Sequence, residues 1–345
     1  MTTHLPRRTV IRLGAGLGGL GFSLLGLGHP HATPLVGWPK PGEAKVVLAD
    51  RSQGLLLVLD RDLIPKWIWM VPPPTHLAPA QRGMIWVAHS PTGPERHRSL
   101  VLVDLRAGEA SHSWNLPEAP QDLHTDGRGR GWILGGGPGK FSLRGYEEGN
   151  PNPSIHDLPL GVTACWLRRG RLLFQVEDSL GWIRLETLGG GLPLRAEGDF
   201  PLGQLEVLDL VLAGDGILLL GIDVRTMGRT RRVVQRRLWG EEPTWVQRVG
   251  AKAERIVLRG DLAESLGASE AWVVHSRSRQ VELLPEPGEA GYMIATGDAG
   301  GIQALGDLDG RLLLATSTCL RLFSRDGQLL VTQGGFDQLV ALSVI

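Results

Sequence analysis

The sequence predicts an all-β protein, a seven-bladed β-propeller of four-stranded antiparallel blades, and three observations carry this prediction. Many short apolar runs are separated by turn residues, and the 345-residue chain contains 48 Gly and 23 Pro, which is typical of all-β domains. One sequence pattern recurs at intervals of roughly 40 to 55 residues, the period range of propeller blades. The chain also begins this pattern on outer strands and ends it on an inner strand, so its two ends together complete one blade.

The pattern is clearest at residues 303–326. An apolar run enters an Asp-Gly turn at Asp309-Gly310, returns as residues 312–315, and goes out again as residues 320–323 after a short polar loop. Asp-Gly between apolar runs is a strong hairpin signal. The pattern therefore predicts successive antiparallel strands, from the inner strand of a blade outwards.

The other repeats follow in chain order, after a polar leader at residues 33–42. The first supplies three strands without an inner one, the outer strand of the third is weak, and the sixth carries an insertion at 261–269. The predicted strands are 45–50, 55–60 and 66–70; 76–78, 84–89, 100–105 and 112–116; 122–124, 131–135 and 141–146; 162–167, 172–177 and 181–186; 205–212, 217–223, 232–238 and 244–249; 255–258, 271–275 and 280–284; and, after the pattern at 303–326, 328–332.

The C-terminus predicts how the ring closes. Residues 337–342 begin another inner strand, which has no partner in its own repeat. Pairing this strand with the first repeat completes a seventh blade and removes two open sheet edges. One propeller domain, residues 43–345, is therefore expected.

The N-terminus resembles a twin-arginine export signal. Pro6 to Arg12 contains the arginine pair Arg7-Arg8, and an uncharged, glycine-rich apolar run follows at residues 13–28. A helix of about 16 residues spans about 24 Å, short of the roughly 30 Å of a bilayer core. This favours a signal peptide, residues 1–32, over a permanent membrane span. Cleavage after Gly28 or after Ala32 and an uncleaved anchor remain open, and periplasmic or extracellular localisation is predicted.

Charge and cysteine content restrict the kinds of partner that the protein is expected to bind. The 36 basic and 36 acidic residues give a formal net charge of zero, and no basic stripe indicates nucleic acid. The densest basic stretch, residues 225–237, is interpreted as a solvated outer strand or, alternatively, as a patch for an anionic ligand. Cys165 and Cys319 fall in different repeats and are expected to be unpaired. A monomer is expected.

Several repeats resemble the NHL and YVTN-type propeller superfamily. Residues 46–50 with 55–60, and 312–317 with 319–323, carry this resemblance best. It implies a propeller over most of residues 43–345 and little about function, because related propellers include scaffolds, lactonases, lyases and quinoproteins. Lactonase-like propellers hold a divalent cation through E-G-P, P-N-G and P-D-G segments, and this chain has none of them. Trp67, Trp69 and Trp114 resemble the Trp residues of quinoprotein repeats, where such residues dock neighbouring blades.

Acidic and histidine side chains are predicted to meet on one face of the propeller. Second strands end, and inner strands begin, on the same face of antiparallel blades. Such a cluster suits a divalent cation or a small polar ligand, whereas the alternative is that these residues only cap strands and loops. The sequence thus predicts a ligand-binding or protein-interaction module, with a metal-assisted, lactonase-like hydrolase or lyase as the alternative and no catalytic residue identified. The candidate residues are Asp50, His89, Glu177, Asp178, Asp223 and His275 at second-strand ends, and His76, Asp122, Asp209 and Asp337 at inner-strand starts.

Overall fold

A computed structural model confirms the predicted seven-bladed β-propeller. Within the residues it describes, the chain forms seven antiparallel sheets, six of four strands and one of five. The described residues are 32–34, 46–90, 97–107, 109–188, 194–213, 216–224, 231–238, 243–258, 271–275, 279–284, 292–295, 301–324 and 326–344.

Each blade is numbered by its order along the chain, with its strands given from the inner edge outwards. Blade 1 is composite: the last strand of the chain is innermost, followed by β2 (Val46–Asp50), β3 (Leu55–Leu59), β4 (Pro65–Met70) and, outermost, β1 (Ala32–Pro34). Blade 2 is β5 (Pro74–Pro79), β6 (Met84–His89), β7 (Arg98–Asp104) and β8 (Glu109–Leu116); blade 3 is β9 (Pro120–Thr125), β10 (Gly131–Gly135), β11 (Ser142–Tyr146) and β12 (Ser154–Asp157); blade 4 is β13 (Val162–Arg168), β14 (Arg171–Val176), β15 (Ser179–Arg184) and β16 (Gly198–Pro201).

Blades 5 to 7 follow in the same way. Blade 5 is β17 (Leu205–Ala213), β18 (Gly216–Asp223), β19 (Arg231–Leu238) and β20 (Pro243–Arg248); blade 6 is β21 (Arg255–Leu258), β22 (Ala271–His275), β23 (Gln280–Leu284) and β24 (Tyr292–Ala295); blade 7 is β25 (Ile302–Leu308), β26 (Arg311–Thr316), β27 (Cys319–Phe323) and β28 (Leu329–Gly334). The chain ends with β29 (Leu339–Val344).

The ring closes as the sequence predicts. Strand β29 pairs antiparallel with β2, from Val46 opposite Val344 to Asp50 opposite Leu339, and supplies the inner strand of blade 1. Every inner strand contacts the inner strand of the next blade, and β29 lies between β25 and β5. No inner edge is therefore left open in the described ring, which protects the propeller from edge-to-edge aggregation.

Asp50 holds this closure together. One carboxylate oxygen, Oδ1, accepts the backbone N–H groups of Ser52 and Gln53 at 3.1 and 3.2 Å, which shapes the β2–β3 turn. The other, Oδ2, accepts the N–H groups of Asp337 and Gln338 at 2.9 and 3.4 Å. One buried carboxylate thus joins the two ends of the chain, and hydrogen bonds to a charged group are the stronger kind.

The Asp309-Gly310 turn forms as the sequence predicts, whereas the turn at Asp126-Gly127 differs from the prediction. Asp309 and Gly310 both have positive φ, 55° and 76°, between the paired residues Leu308 and Arg311. This two-residue turn suits the twist of paired strands, and Asp and Gly tolerate its left-handed backbone. At Asp126-Gly127 the sequence predicts a tight turn, but the loop is wider, since the buried Asp126 carboxylate accepts the N–H groups of Arg128 and Arg130.

The apolar core lies between neighbouring blades. Second strands such as β2, β10 and β22 are buried along their whole length. Their faces pack against the adjacent sheets, and the largest fully buried side chains are Trp69, Trp86, Trp132 and Trp272. Trp86 also donates its indole N–H to the carbonyl of Gly129 in the next blade, at 3.1 Å. These Trp residues dock blades, because an indole buries a large apolar area while keeping one hydrogen-bond donor.

The N-terminal prediction mostly lies outside the described residues, since these begin at Ala32. Residues 32–34 form β1, which pairs with β4 as a fifth, outermost strand, so part of the expected leader belongs to the sheet. No helix in the described ranges is long and apolar enough to cross a membrane. The insertion at 261–269 lies outside these ranges, as do residues 225–230 of the basic stretch. Its remainder, β19, is a third rather than an outer strand, and it buries Arg237.

Candidate ligand-binding site

A polar cavity of about 450 Å³ lies among the inner strands of blades 3 to 6. We call it the channel cavity. Two arginines, three carboxylates and one amide give its lining a polar character, and one tryptophan adds an aromatic side chain. The residues concerned are Gln121, Asp122, Trp166, Arg168, Asp209, Glu254 and Arg255, with Leu134, Cys165 and Leu208 completing the lining.

Arg168 lies at the centre of this arrangement. Its Nη1 atom is 2.9 Å from Oδ2 of Asp122 in blade 3, and its Nη2 atom is 3.1 Å from Oδ1 of Asp209 in blade 5. The guanidinium group therefore bridges three blades. A planar guanidinium with several fixed donors can bind two carboxylates at once, which a lysine ammonium does less well.

The same side chains also bind the backbone of the next inner strand. Asp122 accepts the N–H of Leu167 at 3.2 Å, and Asp209 accepts the N–H of Ile256 at 3.0 Å. Arg168 donates from Nε to the carbonyl of Leu210 at 3.2 Å. Each of these residues thus fixes the inner strand of the following blade. The lining of the channel cavity is therefore held in place by the fold itself, as a preformed site requires.

The charges of the bridge favour its ionised form. Burial alone lowers the pKa of Arg168, but the carboxylates of Asp122 and Asp209 outweigh this effect, and the pKa is raised above its usual value. Burial raises the pKa of the neighbouring Cys165 thiol to about 12, and the charge of Asp122 adds to this shift. Cys165 therefore remains a neutral thiol at neutral pH and is a poor nucleophile.

His76 extends the set of inter-blade contacts to blade 2. Its Nε2 lies 3.2 Å from the carbonyl of Gln121, and its Nδ1 lies 3.1 Å from the hydroxyl of Thr75. Burial lowers the pKa of His76, although the nearby Asp122 carboxylate opposes this shift. His76 therefore links blades 2 and 3 beside the channel cavity, through a residue that lines it.

The structure brings some of the predicted site residues together and separates others. Asp122 and Asp209 both line the channel cavity and share Arg168. His89 and His275 do occupy equivalent positions, as the last residues of the second strands of blades 2 and 6, but both are buried. His89 donates from Nδ1 to the carbonyl of Pro72 at 2.8 Å, and Nε2 of His275 lies 3.0 Å from a carboxylate oxygen of Glu282. Both contacts fit the interpretation of these histidines as strand caps.

The remaining predicted residues do not line the channel cavity. Asp50 and Asp337 meet at the closure of blade 1, where Asp337 also accepts a hydrogen bond from Gln53 at 2.9 Å. Glu177 and Asp178 form the exposed turn between β14 and β15, and Asp223 ends β18. The geometry of turns and strand ends explains why polar residues occupy these positions.

Sequence reasoning missed the residues that dominate the cavity. Arg168, Trp166 and Glu254 were not singled out, because an arginine before a turn and a tryptophan in a strand have ordinary structural explanations. The available signal was a charged residue, Arg168, directly after the apolar run of an inner strand. The structure shows that its side chain contacts the inner strands of blades 3 and 5.

No metal centre is found in the part of the chain that the structure describes. In these ranges, no group of three or more His, Cys, Asp or Glu side chains is arranged to hold a metal ion. The divalent cation considered from the sequence therefore has no ligand set among the described residues.

The seven antiparallel sheets place this protein in the class of seven-bladed β-propellers. No family model matches the chain, and no curated protein matches it. Solved structures resemble it over most of its length. A protein from Lactobacillus plantarum has a TM-score of 0.62 at 11% identity, covering 88% of this chain and 99% of that one.

Two further structures resemble this chain over a similar share of its length, with lower TM-scores. The periplasmic gluconolactonase PpgL of Pseudomonas aeruginosa has a TM-score of 0.57 at 13% identity, covering 88% of this chain and 99% of that chain. AztD of Citrobacter koseri has a TM-score of 0.55 at 11% identity, covering 87% and 97%. At such identities the likeness shows the fold alone.

Proposed function

We propose that this protein is an exported binding module that holds a small polar ligand in the channel cavity. The observation that carries the proposal is a cavity of about 450 Å³ lined by charged groups of both signs on inner strands. Small-molecule sites typically measure about 300 to 1,000 Å³ and contain a few well-placed polar groups. The inter-blade hydrogen bonds of Asp122, Arg168 and Asp209 hold these groups rigidly, which lowers the entropy cost of binding.

A metal-assisted hydrolase or lyase is the weaker alternative. Such an enzyme needs a convergent set of metal ligands with an open coordination position. The described residues offer no such set. A periplasmic gluconolactonase shares the fold, but unrelated functions occur on the same fold.

Ligand binding is tested by saturation-transfer NMR with a defined mixture of amino acids, sugars, diamines and dicarboxylates. At least one component is expected to receive saturation from the protein. Cys165→Phe and Gln121→Trp, which fill the channel cavity, are expected to remove this signal while the thermal melt stays cooperative. Leu160→Phe is the matched control, since Leu160 is 92% exposed and lies outside the lining. No signal, or a signal that both cavity-filling variants retain, would contradict the proposal.

Export through the twin-arginine route is the second part of the proposal, and it rests on the Arg7-Arg8 motif. Replacing both residues by Lys is expected to leave the protein in the cytoplasm, because a receptor that reads the guanidinium pair does not accept ammonium groups in its place. Arg12→Lys, the same change outside the pair, is expected to preserve export. Cell fractionation of a tagged chain measures both, and normal export of the double variant contradicts this assignment.

A further inference from the structure

We infer that the channel cavity binds a small organic cation through a primary ammonium group. This inference rests on the proposed function and specifies its ligand. Three features of the lining carry it, namely the hydrogen-bonding capacity that its charged groups have left, its charge, and its aromatic side chain.

The donors of the central guanidinium are almost used up by the protein. Arg168 donates once from Nε to Leu210, twice from Nη1 to Leu167 and Asp122, and once from Nη2 to Asp209. These bonds occupy four of the five N–H groups of an arginine. An anionic ligand needs free donors in a fork geometry, and Arg168 has at most one to give.

The carboxylates, in contrast, have acceptor capacity left. Among the described contacts, Oδ1 of Asp122 accepts the N–H of Leu123, and Oδ2 of Asp209 accepts the N–H of Ile256. A carboxylate oxygen can accept about two hydrogen bonds. Each of these two atoms therefore has room for one donor from a ligand, and an ammonium group supplies three donors and no acceptor.

The charge of the central bridge is negative. Two carboxylates, Asp122 and Asp209, share the one guanidinium group of Arg168, which leaves this bridge with a formal charge of −1. The other arginine of the lining, Arg255, is exposed and donates to the carbonyl of Gln303 in the next blade, at 2.8 Å. The pKa of Cys165 is raised to about 12, by burial first and then by the charge of Asp122, which is consistent with a negative charge acting on the cavity.

The lining of the channel cavity also contains one aromatic side chain. Trp166 is half-buried and lines the same cavity. The face of an indole ring attracts cations, and this attraction is stronger where water is partly excluded. Spare carboxylate acceptors, the negative charge of the Asp122–Arg168–Asp209 bridge and an indole suit an organic ammonium ion, whereas Arg168 has no pair of free donors for a carboxylate.

The test uses three probes that share one five-carbon chain and differ only in their end groups: 1,5-diaminopentane, 1,5-pentanediol and glutarate. Isothermal titration calorimetry of the full chain at neutral pH is expected to give at least about tenfold tighter binding for the diamine than for either other probe, because charge-assisted hydrogen bonds are about twice as strong as neutral ones. Diamine binding is also expected to weaken as salt is raised, since salt screens charge attraction.

Glu254→Gln and Asp309→Asn form the matched pair of variants. Both replace a carboxylate by an amide of the same shape, but only Glu254 lines the channel cavity, whereas Asp309 is 60% exposed in the β25–β26 turn. Glu254→Gln is expected to raise the Kd for the diamine about tenfold, and Asp309→Asn is expected to leave it unchanged. Thermal melts establish that both variants fold.

The outcomes separate this inference from the proposed function. Pentanediol or glutarate binding as tightly as the diamine overturns the ammonium assignment and leaves the proposed binding role intact. Absence of diamine binding, or diamine binding that is indifferent to Glu254→Gln, also overturns the assignment. The NMR experiment with the mixed ligands then decides independently whether the cavity binds anything.

Discussion

Removal of residues 337–345 is expected to abolish the cooperative unfolding of the propeller. This deletion takes away β29, the inner strand of blade 1, which pairs with β2 and contacts the inner strands of blades 2 and 7. It also deprives the buried Asp50 carboxylate of two N–H partners. An open inner edge and a buried, partly unpaired charge together favour aggregation. Size-exclusion chromatography and a thermal melt followed by circular dichroism measure this result.

The control for this experiment removes a strand from the opposite edge of the same blade. A chain that lacks residues 1–34 loses β1, which pairs with only three residues of β4 at the outer rim. It is expected to remain monomeric and to melt cooperatively, because an outer edge carries few of the contacts between blades. A C-terminal truncation that melts as sharply as this control would show that the ring is closed in another way.

Stability is expected to fall as the pH falls from 6.5 to about 4, and His89 is expected to contribute to this loss. Burial lowers the pKa of His89 to about 4, which hydrogen bonds to the carbonyls of Pro72 and Pro73 only partly oppose. In the unfolded chain the histidine pKa is about 6.5. Within this window the unfolded state binds a proton that the folded state does not, so acid favours unfolding by up to roughly 3 kcal/mol.

Urea unfolding at pH 7.0 and pH 4.5 measures this effect as the difference in free energy of unfolding between the two pH values. His89→Gln is expected to reduce that difference, even where it lowers stability at both pH values. His97→Gln serves as the control, since His97 is exposed and its replacement is expected to leave the difference unchanged. An equal pH dependence in the wild-type protein and His89→Gln would refute the role assigned to His89.

The fold could be predicted from the sequence because its signals are local and repeated. The Asp309-Gly310 turn and the alternation of apolar runs with turns define hairpins without knowledge of the rest of the chain. Closure could be predicted as well, since an unpaired inner strand at one end matched missing inner pairing at the other. Closure of the ring depends on the topology of the strands, which follows from their order along the chain.

The site could be predicted only in part, because it depends on how inner strands of different blades are offset along the channel. Asp122 and Asp209 were found as inner-strand acids, but Arg168, which joins them, lies at the end of its own strand. No periodicity within one repeat gives the height of a residue relative to the next blade. Likewise, nothing local distinguishes the Asp50 carboxylate, which caps a turn and binds the C-terminal strand, from a free ligand-binding carboxylate.

The composite blade 1 would allow the chain termini to be moved to another position in the ring. Val46 and Val344 lie opposite each other at the same end of their paired strands, so a short link between them would form a hairpin like the one at Asp309-Gly310. A circularly permuted chain that starts at a boundary between two other blades would keep all seven sheets, with only β1 missing from the outer edge of blade 1. The position of the chain termini in the ring is therefore expected to be independent of the order of the blades around the channel and of the residues that line the channel cavity.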